Sequence, residues 1–445
     1  MFVKIHYLLF LLFLTCPALK AEDWPRWRGP SGNGVSSEFG LPVQWSASEH
    51  VAWKASLAGL GVSSPIVWGD KVFVTSQEGT VPINQASYPR LARDDQDLAS
   101  RENPIGSRSK QAKDSRSEVF LIVEAFRRTD GKRLWEYRTK ATGEFPPLHE
   151  KHNLATPTPV TDGRLVCALF GTGQILALDM GGRLVWERHL GTEYASFNTP
   201  WGYGGSPILY KETLILLCDL AQKSYLLALE KGTGKERWNV DRGKGRVSHS
   251  TPLVAGGMGG DELIVNSSER IDAYNPDNGQ LLWYTGTQRQ TPIPSPVFHN
   301  GVIYLSRGYR NSDFLAIRTG GRGDISQSHI LWRAPGGASY VPSLLYYDGL
   351  VYVTNEVGIV TCADAQTGKS VWRHRLGEIF FASPVAGDGK VYMVGETGET
   401  FVLGAGREVK ILARNSIGER VLASPAISQG HLFLRSDGTL FCIGD

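Results

Sequence analysis

One phrase repeats along the chain at near-regular intervals, and it limits the possible folds more than any other feature. In residues 363–373 it reads ADAQTGKSVWR, the end of one strand, a tight glycine-containing turn and the start of a second strand with a tryptophan. Successive tryptophans of this phrase are 51, 52, 45, 49 and 40 residues apart, at Trp135, Trp186, Trp238, Trp283, Trp332 and Trp372. Short strands and one aromatic residue repeated with this period are typical of a β-propeller, with one blade per repeat.

A second phrase marks the beginning of each repeat. It is a Ser or Thr, followed by Pro in seven of eight copies and then by an apolar run, and it starts at Ser64, Thr158, Ser206, Thr251, Ser295, Ser343, Ser383 and Ser424. Proline suits the first residue of a strand because its missing N–H is not needed there. A turn and another apolar run follow each copy, which predicts four strands per repeat, here named A, B, C and D.

The last repeat, which begins at Ser424, ends after its third strand. Residues 51–56 carry Trp53 in the manner of a D strand whose earlier strands are missing. Pairing this strand with the C-terminal repeat would close the ring and leave no exposed sheet edge. The sequence therefore predicts an all-β protein, an eight-bladed propeller of four-stranded antiparallel blades that is closed by the N-terminal strand.

Residues 1–21 differ from the rest of the chain. Lys4 precedes an apolar run from Tyr7 to Leu14, and small or turn residues follow up to Ala21. A charged start, a short apolar core and a small-residue end predict a secretory signal peptide, too short for a membrane-spanning helix. We therefore expect an exported protein of the periplasm or cell envelope, with no transmembrane segment in the mature chain. The residue before Cys16 is not the small one that a lipid-anchor site requires, so no lipid anchor is predicted.

The predicted propeller covers residues 51–445, and two further segments precede and interrupt it. Residues 22–50 contain Trp24 and Trp27 in a Gly- and Pro-rich stretch without periodicity. Two such side chains should cover apolar surface, so we expect an N-terminal capping segment. Residues 80–117 are polar, with charges of both signs and no apolar period, which predicts an exposed charged loop inserted in the first blade.

Charge and cysteine content argue against two classes of protein. With 47 Lys and Arg against 44 Asp and Glu, the formal net charge is +3, which gives no electrostatic reason to expect a nucleic-acid partner. The cysteines outside the predicted signal peptide lie far apart in apolar runs, at Cys167, Cys218, Cys362 and Cys442. We interpret them as small buried side chains on separate blades and not as a disulfide framework. We expect a monomer.

Antiparallel strand order sorts the connections of a propeller onto two faces. The A–B and C–D turns lie on one face, and the B–C loops and the connections between blades lie on the other. The second face receives the insertion 80–117 and the long connections 140–155, 191–204 and 286–293. Long loops collected on one face are where a propeller usually binds its partners, so this face is the predicted binding surface.

Several residues of this face are candidates for binding. The connection into the second blade reads HEKHN, with His149, His152 and Asn153, which suggests either metal ligands or polar loop contacts. An irregular loop gives the two imidazoles no fixed geometry, so no metal site is predicted. The side chains expected around the mouth of the central channel, which would either grip a ligand or partner or plug the channel, are Trp201, His249, Tyr340 and Phe381.

The B–C loop of the fifth blade contains Arg307 and Arg310 on the same face. Two guanidinium groups beside a tyrosine suit an anion or an acidic peptide, and local pairing with Asp313 in a solvated loop is the alternative interpretation. The chain contains no GxSxG, HExxH or Walker sequence and no CxxCH haem site. No catalytic residue is therefore predicted.

The repeated Gly-Lys-x-x-Trp phrase resembles the tryptophan-docking repeat of the pyrroloquinoline-quinone (PQQ) propeller superfamily, over nearly all of residues 45–445. The resemblance implies eight four-stranded blades, with the tryptophan of each blade docked against its neighbour. The docking residues would be Trp53, Trp135, Trp186, Trp238, Trp283, Trp332 and Trp372. The opening WPRWRGP of residues 24–30 is similar to the start of exported PQQ-like repeat proteins of the planctomycete type.

The superfamily contains quinoprotein dehydrogenases and a non-catalytic, BamB-like branch of envelope assembly scaffolds. The resemblance implies for the enzymes a vicinal disulfide stacked on the quinone and a Ca²⁺ ion beside a catalytic Asp. This chain has no Cys-Cys pair and no stretch that matches the calcium motifs. We therefore expect no cofactor, and an exported scaffold that binds a protein or cell-envelope partner. A divergent enzyme that uses PQQ with Ca²⁺ is the alternative.

Overall fold

The structure is a computed structural model that describes residues 22–83, 118–145, 148–199, 201–257, 259–286, 291–308 and 313–445. The predicted signal peptide with Cys16, the candidate Arg310, and the insertion from residue 84 onward lie outside these residues. Within them the secondary structure is almost entirely β. The single helix of the described residues, α1, spans Leu190–Glu193, and none there is long and apolar enough to cross a bilayer.

The first strand of the described residues belongs to the last blade, and the following strands form the blades in chain order. Strand β1 is Val51–Ser56. Blades 1 and 2 consist of β2 (Ile66–Trp68), β3 (Lys71–Glu78), β4 (Phe120–Arg127), β5 (Arg133–Lys140), β6 (Val160–Thr161), β7 (Leu165–Leu169), β8 (Gln174–Asp179) and β9 (Leu184–His189). Blades 3 and 4 consist of β10 (Ile208–Tyr210), β11 (Thr213–Asp219), β12 (Ser224–Glu230), β13 (Glu236–Gly243), β14 (Leu253–Ala255), β15 (Glu262–Asn266), β16 (Ile271–Tyr274) and β17 (Leu281–Tyr284).

The second half of the chain repeats this order. Blade 5 consists of β18 (Val297–His299), β19 (Val302–Ser306), β20 (Phe314–Arg318) and β22 (Ile330–Ala334), with the short β21 (Gly323–Asp324) before β22. Blades 6 and 7 consist of β23 (Leu345–Tyr347), β24 (Leu350–Thr354), β25 (Ile359–Asp364), β26 (Ser370–Arg375), β27 (Val385–Gly387), β28 (Lys390–Val394), β29 (Glu399–Gly404) and β30 (Ile411–Ser416). Blade 8 contributes β31 (Ala426–Ser428), β32 (His431–Arg435) and β33 (Thr439–Ile443).

The two ends of the chain share blade 8. Strand β1 pairs antiparallel with β33, and Trp53 lies opposite Cys442 in this pairing. The sheet order is therefore β1-β33-β32-β31, so the outermost strand comes from the N-terminus and the other three from the C-terminus. The prediction of an eight-bladed, four-stranded antiparallel propeller closed by the N-terminal strand is confirmed. Neighbouring A strands contact one another and form the inner wall of the ring.

Blade 4 differs from the others because it acquires a fifth strand. The Gly-rich stretch before Trp332 forms β21, which pairs in parallel with β17 of blade 4. Gly323 lies opposite Trp283 in this pairing. The longer C–D connection of blade 5 therefore reaches back and covers the outer edge of the preceding blade.

Docked tryptophans join most neighbouring blades. In six cases the indole N–H of a D strand donates to a backbone carbonyl of the next blade's C–D turn, with Trp53–Arg128 at 2.7 Å, Trp135–Met180 at 3.1 Å, Trp186–Lys231 at 2.8 Å, Trp238–Pro276 at 3.2 Å, Trp332–Ala365 at 3.0 Å and Trp372–Gly406 at 3.1 Å. The turn glycine lets the ring approach, because a Cβ on Gly182 would lie 2.6 Å from Trp135. Trp283 is fully buried and donates instead to the Glu262 carboxylate of its own blade, at 2.9 Å.

A ring of hydroxyl groups joins the blades at the axis. The eight residues at the start of the Ser/Thr-Pro phrase are buried, and the backbone N–H of each of the first seven donates to the side-chain oxygen of the corresponding residue in the next blade. Seven such bonds of 2.8–3.0 Å run from Ser64 through Thr158, Ser206, Thr251, Ser295, Ser343 and Ser383 to Ser424. We call this set the hydroxyl ring. It satisfies backbone donors that the short A strands leave without a ladder partner.

The N-terminal segment, residues 22–45, crosses the axis on the face of the A–B and C–D turns, which we call the turn face. It bonds to residues in or beside the A strands of six blades, at Val67, Thr161, Phe298, Leu344, Ala386 and Ser428. Trp24 and Val67 exchange both backbone hydrogen bonds, at 2.8 and 2.9 Å, and Trp24 is completely buried. The segment thus lies over one end of the central channel.

Candidate functional site

The opposite face carries the B–C loops and the connections between blades, and we call it the loop face. Its central element is the connection into blade 2. Leu148 forms isolated parallel bridges with Ile83 of the first B–C loop and with Trp201 of the connection into blade 3. Asn153 fixes the other end of this connection, because its side-chain amide donates to the carbonyl of Leu60 at 3.2 Å. The connections into blades 1, 2 and 3 are therefore joined into one layer.

An ion pair crosses the mouth of the channel on this face. The Lys151 ammonium lies 2.8 Å from the Glu396 carboxylate, and the two side chains are only 18% and 10% exposed. The same ammonium lies 4.0 Å from the ring centroid of Phe381, a cation–π distance. Lys151 belongs to the connection into blade 2 and Glu396 to the B–C turn of blade 7, which are not neighbours in the ring. The pair therefore braces the mouth from one side to the other.

Three histidines stand beside this ion pair. Burial, together with the nearby Lys151 ammonium, lowers the pKa of His149 to about 4. Burial lowers the pKa of His152 to about 3 and that of His249 to about 4. The backbone N–H of Lys151 donates to Nδ1 of His149 at 3.0 Å, so this nitrogen carries no proton. Gly204 lies between His152 and His249, since a Cβ on this glycine would be 3.3 Å from Nε2 of His152 and 3.6 Å from Cβ of His249.

The three imidazoles are therefore neutral at pH 7, a state in which histidine can bind a metal ion. However, no group of three or more His, Cys, Asp or Glu side chains in the described residues is arranged to hold one. The neutral rings and the aromatic side chains of Trp201 and Phe381 instead make the mouth of the channel a weakly polar surface around one ion pair.

The structure places the other predicted residues on the far side of the mouth. Arg307 is 2% exposed and donates to the Asn266 side chain at 3.1 Å, and burial lowers its pKa to about 10. It is thus not the solvated loop residue that one interpretation expected. The backbone N–H of Tyr340 bonds to the Glu356 carboxylate, whose pKa is raised by burial. Arg310 lies outside the described residues. Only His149, His152, Asn153, Trp201, His249 and Phe381 are brought together.

Exposed apolar side chains surround the connection into blade 2. Leu60, Ile83, Phe145 and Trp201 are 36–45% exposed, and all four lie on the loop face at blades 1 to 3. We call these four residues the apolar rim. The other large apolar side chains with comparable exposure lie on or beside outer D strands or, for Phe39, on the turn face, and they are Leu184, Val185, Leu281, Leu331, Val409, Ile411 and Phe39.

Sequence reasoning did not single out Lys151, Glu396 or three of the four rim residues. Lys151 was visible within the HEKHN stretch, but its partner is 245 residues away in the sequence. The signal for Glu396 was an acid in the tight turn Gly395–Gly398 between two apolar strands. Leu60, Ile83 and Phe145 lie in short Gly- or Pro-containing stretches with no distinctive pattern, so the sequence carried no clear signal for them.

The described residues do not fit a calcium-held quinone. Cys167, Cys218, Cys362 and Cys442 are free and buried on four different blades, and burial raises the pKa of each thiol to about 12. They therefore supply no disulfide to stack on a quinone ring. Ca²⁺ prefers six to eight oxygen ligands, whereas the described mouth presents imidazoles, an ammonium, the Glu396 carboxylate paired with that ammonium and the Glu356 carboxylate bonded to the Tyr340 N–H.

Fold and site together define the class, a closed eight-bladed propeller with tryptophan-docked blades and a braced channel mouth. The chain belongs to the PQQ-like repeat family whose model is described as outer membrane protein assembly factor BamB, which matches residues 120–374, 326–405 and 358–443. The expected family resemblance is confirmed.

Individual relatives agree with this assignment. A tetrathionate hydrolase of Acidithiobacillus ferrooxidans is 24% identical over 375 residues, 77% of this chain, and the match spans 64% of that protein. The outer membrane protein assembly factor BamB of Yersinia pestis is 21% identical over 302 residues, 56% of this chain and 74% of that protein. The crystal structure of quinohemoprotein alcohol dehydrogenase from Comamonas testosteroni superposes with a TM-score of 0.61 at 14% identity, over 95% of this chain and 80% of that chain, and shows the shared fold.

Proposed function

We propose that this protein is an exported scaffold that binds a protein partner of the cell envelope through the apolar rim on its loop face. The observation that carries the proposal is the concentration of Leu60, Ile83, Phe145 and Trp201 around one connection. Exposed apolar patches bordered by polar residues mark interaction sites on soluble proteins.

The rim is held rigidly, which favours a binding role. The bridges from Leu148 to Ile83 and Trp201, and the Asn153 bond to Leu60, fix the backbone of three rim residues before a partner arrives. Preorganised side chains lose little conformational entropy on binding, so more of the burial energy appears as affinity. Trp201 is the expected anchor, since tryptophan is enriched among the residues that dominate interface energies.

The envelope location and the protein nature of the partner rest on two supports. Residues 1–21 have the pattern of a secretory signal peptide. A relative that matches more than half of this chain is, by name, an outer membrane protein assembly factor. The alternative partner is an envelope polymer. The capture experiment distinguishes the two, because a polymer partner would leave no protein attached to the scaffold.

The test is capture from the native envelope after chemical cross-linking. The variant Trp201→Asn with Phe145→Ser removes two rim side chains, and asparagine tolerates the positive φ of 70° at position 201. We expect this double variant to melt like the wild type and to lose the partner protein. The control Phe39→Ser removes a more exposed aromatic ring on the turn face and should retain it. Equal capture by the double variant would refute the proposal.

The alternative function is that of a quinone-dependent dehydrogenase, a class of enzyme that shares this fold. A separate experiment tests this alternative. PQQ and Ca²⁺ are added to the purified protein, and the quinone absorbance and alcohol-dependent dye reduction are measured. We expect neither a shifted absorbance nor dye reduction, because the described residues offer no stacking disulfide and no oxygen-rich ligand set. Alcohol-dependent dye reduction would replace the scaffold proposal with an enzymatic one.

A further inference from the structure

The N-terminal segment buries an arginine at the axis of the propeller. Arg28 is 1% exposed, and its Nη2 atom donates to the carbonyl oxygens of Asn33 and Leu344, each at 2.8 Å. Leu344 directly follows Ser343 of the hydroxyl ring. The guanidinium of Arg28 therefore reaches from the turn face to the inner wall of the central channel, close to the level of the ring.

The glycine at position 34 leaves room for this guanidinium. A Cβ on Gly34 would lie 2.8 Å from Nη2 of Arg28 and 3.1 Å from the carbonyl oxygen of Pro384. Gly34 also has a φ of 79°, which glycine adopts without strain. Arg28 itself has a φ of 63°, and its backbone carbonyl accepts a hydrogen bond from the Gly34 N–H at 2.8 Å. Residues 28–34 thus form a tight turn with four residues at positive φ, and this turn places the charged group near the axis.

The charge of Arg28 has no counter-charge in the described residues. Its Nε and Nη1 atoms are buried without a hydrogen-bond partner, and no carboxylate contributes to its pKa. Its guanidinium carbon lies 5.8 Å from the ring centroid of Trp27, a contact that supplies no acceptor oxygen. Burial alone lowers its pKa, to about 9. A buried ion without a partner is strongly unfavourable, and two unmade charge-assisted hydrogen bonds make it more so. Arg435 and Arg242, which are also largely buried, instead donate to protein acceptors through more than one nitrogen, and Arg242 also pairs with two carboxylates.

We propose that Arg28 is an anion-binding residue and that the central channel holds one carboxylate or inorganic oxyanion against its free Nε and Nη1 atoms. An oxyanion supplies both the missing negative charge and the missing acceptor oxygens. The site lies at the end of the channel opposite the apolar rim, so it is independent of the proposed partner-binding role.

Two measurements on the full mature protein test this site. In the first, extensively dialysed protein is denatured and the released anions are identified by ion chromatography. In the second, sulfate, phosphate and acetate are titrated separately at constant ionic strength against chloride, and saturable stabilisation is followed by thermal melting. We expect either about one oxyanion released per chain or saturable binding of one of the three, and the two results separate a retained ligand from an exchangeable one.

Variants assign the binding to Arg28. Arg28→Gln should abolish release or weaken binding by about ten- to hundred-fold, the loss expected for charge-assisted hydrogen bonds. Arg28→Lys retains the charge and serves if the glutamine variant does not fold, and it should bind more weakly than the wild type. Arg164→Gln removes an exposed arginine of the turn face and should bind normally. Wild-type protein that neither releases nor binds an oxyanion holds water only, which overturns the proposal, as does unchanged binding by both Arg28 variants.

Discussion

Lys151 and Glu396 form an ion pair of 2.8 Å that joins blade 2 to blade 7 across the mouth of the channel. In the ring these blades are separated by blades 1 and 8, so the pair links elements that the sheet connectivity leaves apart. Both side chains are largely buried, and Phe381 lies against the ammonium. This contact holds the central connection of the loop face in place, and with it the bridges that position Ile83 and Trp201.

Replacing one member of this ion pair should destabilise the protein more than replacing both members together. Lys151→Met leaves the Glu396 carboxylate buried without its cation, and we expect a loss of about 2–4 kcal/mol in the free energy of unfolding. The double variant with Glu396→Gln should recover a substantial part of that loss. Urea unfolding of the four proteins measures the coupling. Additive effects would show that the pair does not brace the mouth.

Loss of the indole N–H should have unequal effects at two docking tryptophans. Trp135→Phe removes a bond to a backbone carbonyl and should cost about 1 kcal/mol beyond the lost volume, whereas Trp283→Phe removes a bond to the buried Glu262 carboxylate and should cost about 2–3 kcal/mol. The free energies of unfolding in urea compare the two variants. Equal losses would mean that the Glu262 contact adds nothing to the docking of blade 4.

The hydroxyl ring should tolerate threonine and not alanine. Ser343→Ala leaves the buried Ser295 N–H without an acceptor, and we expect a loss of about 1–3 kcal/mol in the free energy of unfolding. Ser343→Thr keeps the hydroxyl oxygen, and threonine already fills this position at Thr158 and Thr251. Thermal and urea unfolding of both variants check the contrast. A Ser343→Ala protein as stable as the wild type would show that the ring does not contribute.

Acid should destabilise the folded protein through two histidines of the loop face. The folded pKa values of His152 and His249, about 3 and 4, are below the unfolded value near 6.5, so the unfolded state binds more protons as the pH falls. Their contribution to stability is complete above pH 6.5 and declines as the pH falls toward 4, by about 1–2 kcal/mol per residue given their partial exposure. Melting temperatures from pH 7 to pH 4.5 record the decline.

A matched pair of variants separates this effect from general acid destabilisation. His152→Gln should flatten the decline between pH 6.5 and pH 4.5. His50→Gln should leave it in place, because His50 is exposed and its pKa is raised by Asp445, which reverses the sign of any contribution. A decline that is equally steep in the wild type and in His152→Gln would refute the assignment to the buried imidazole.

The fold was predictable because the Ser/Thr-Pro phrase and the Trp phrase recur in most blades. Five copies of the Trp phrase place the tryptophan four positions after a turn glycine. The pairing of residues 51–56 with the last blade follows from the need to cover a sheet edge. The fifth strand of blade 4 was not predictable in this way. It depends on β21 reaching a neighbouring sheet, a tertiary contact for which Gly323 and Asp324 carry no strand propensity.

The site was predictable only as a face and a set of candidate residues. Antiparallel order assigned His149, Trp201, His249 and Phe381 to one surface, and the structure brings them together around Lys151. The Lys151–Glu396 pair, the hydroxyl ring and the burial of Arg28 all depend on contacts between residues far apart in the sequence. Such contacts have no local pattern, and only ring closure brings their partners into reach.

The most direct test of the account is photo-cross-linking in the native envelope from two exposed aromatic positions on opposite faces. A photoreactive phenylalanine analogue replaces Trp201 on the loop face in one strain and Phe39 on the turn face in another. We predict that the Trp201 position yields one discrete cross-linked protein and that the Phe39 position yields none. A discrete product from Phe39 alone, or none from Trp201, would contradict the assignment of the loop face as the binding surface.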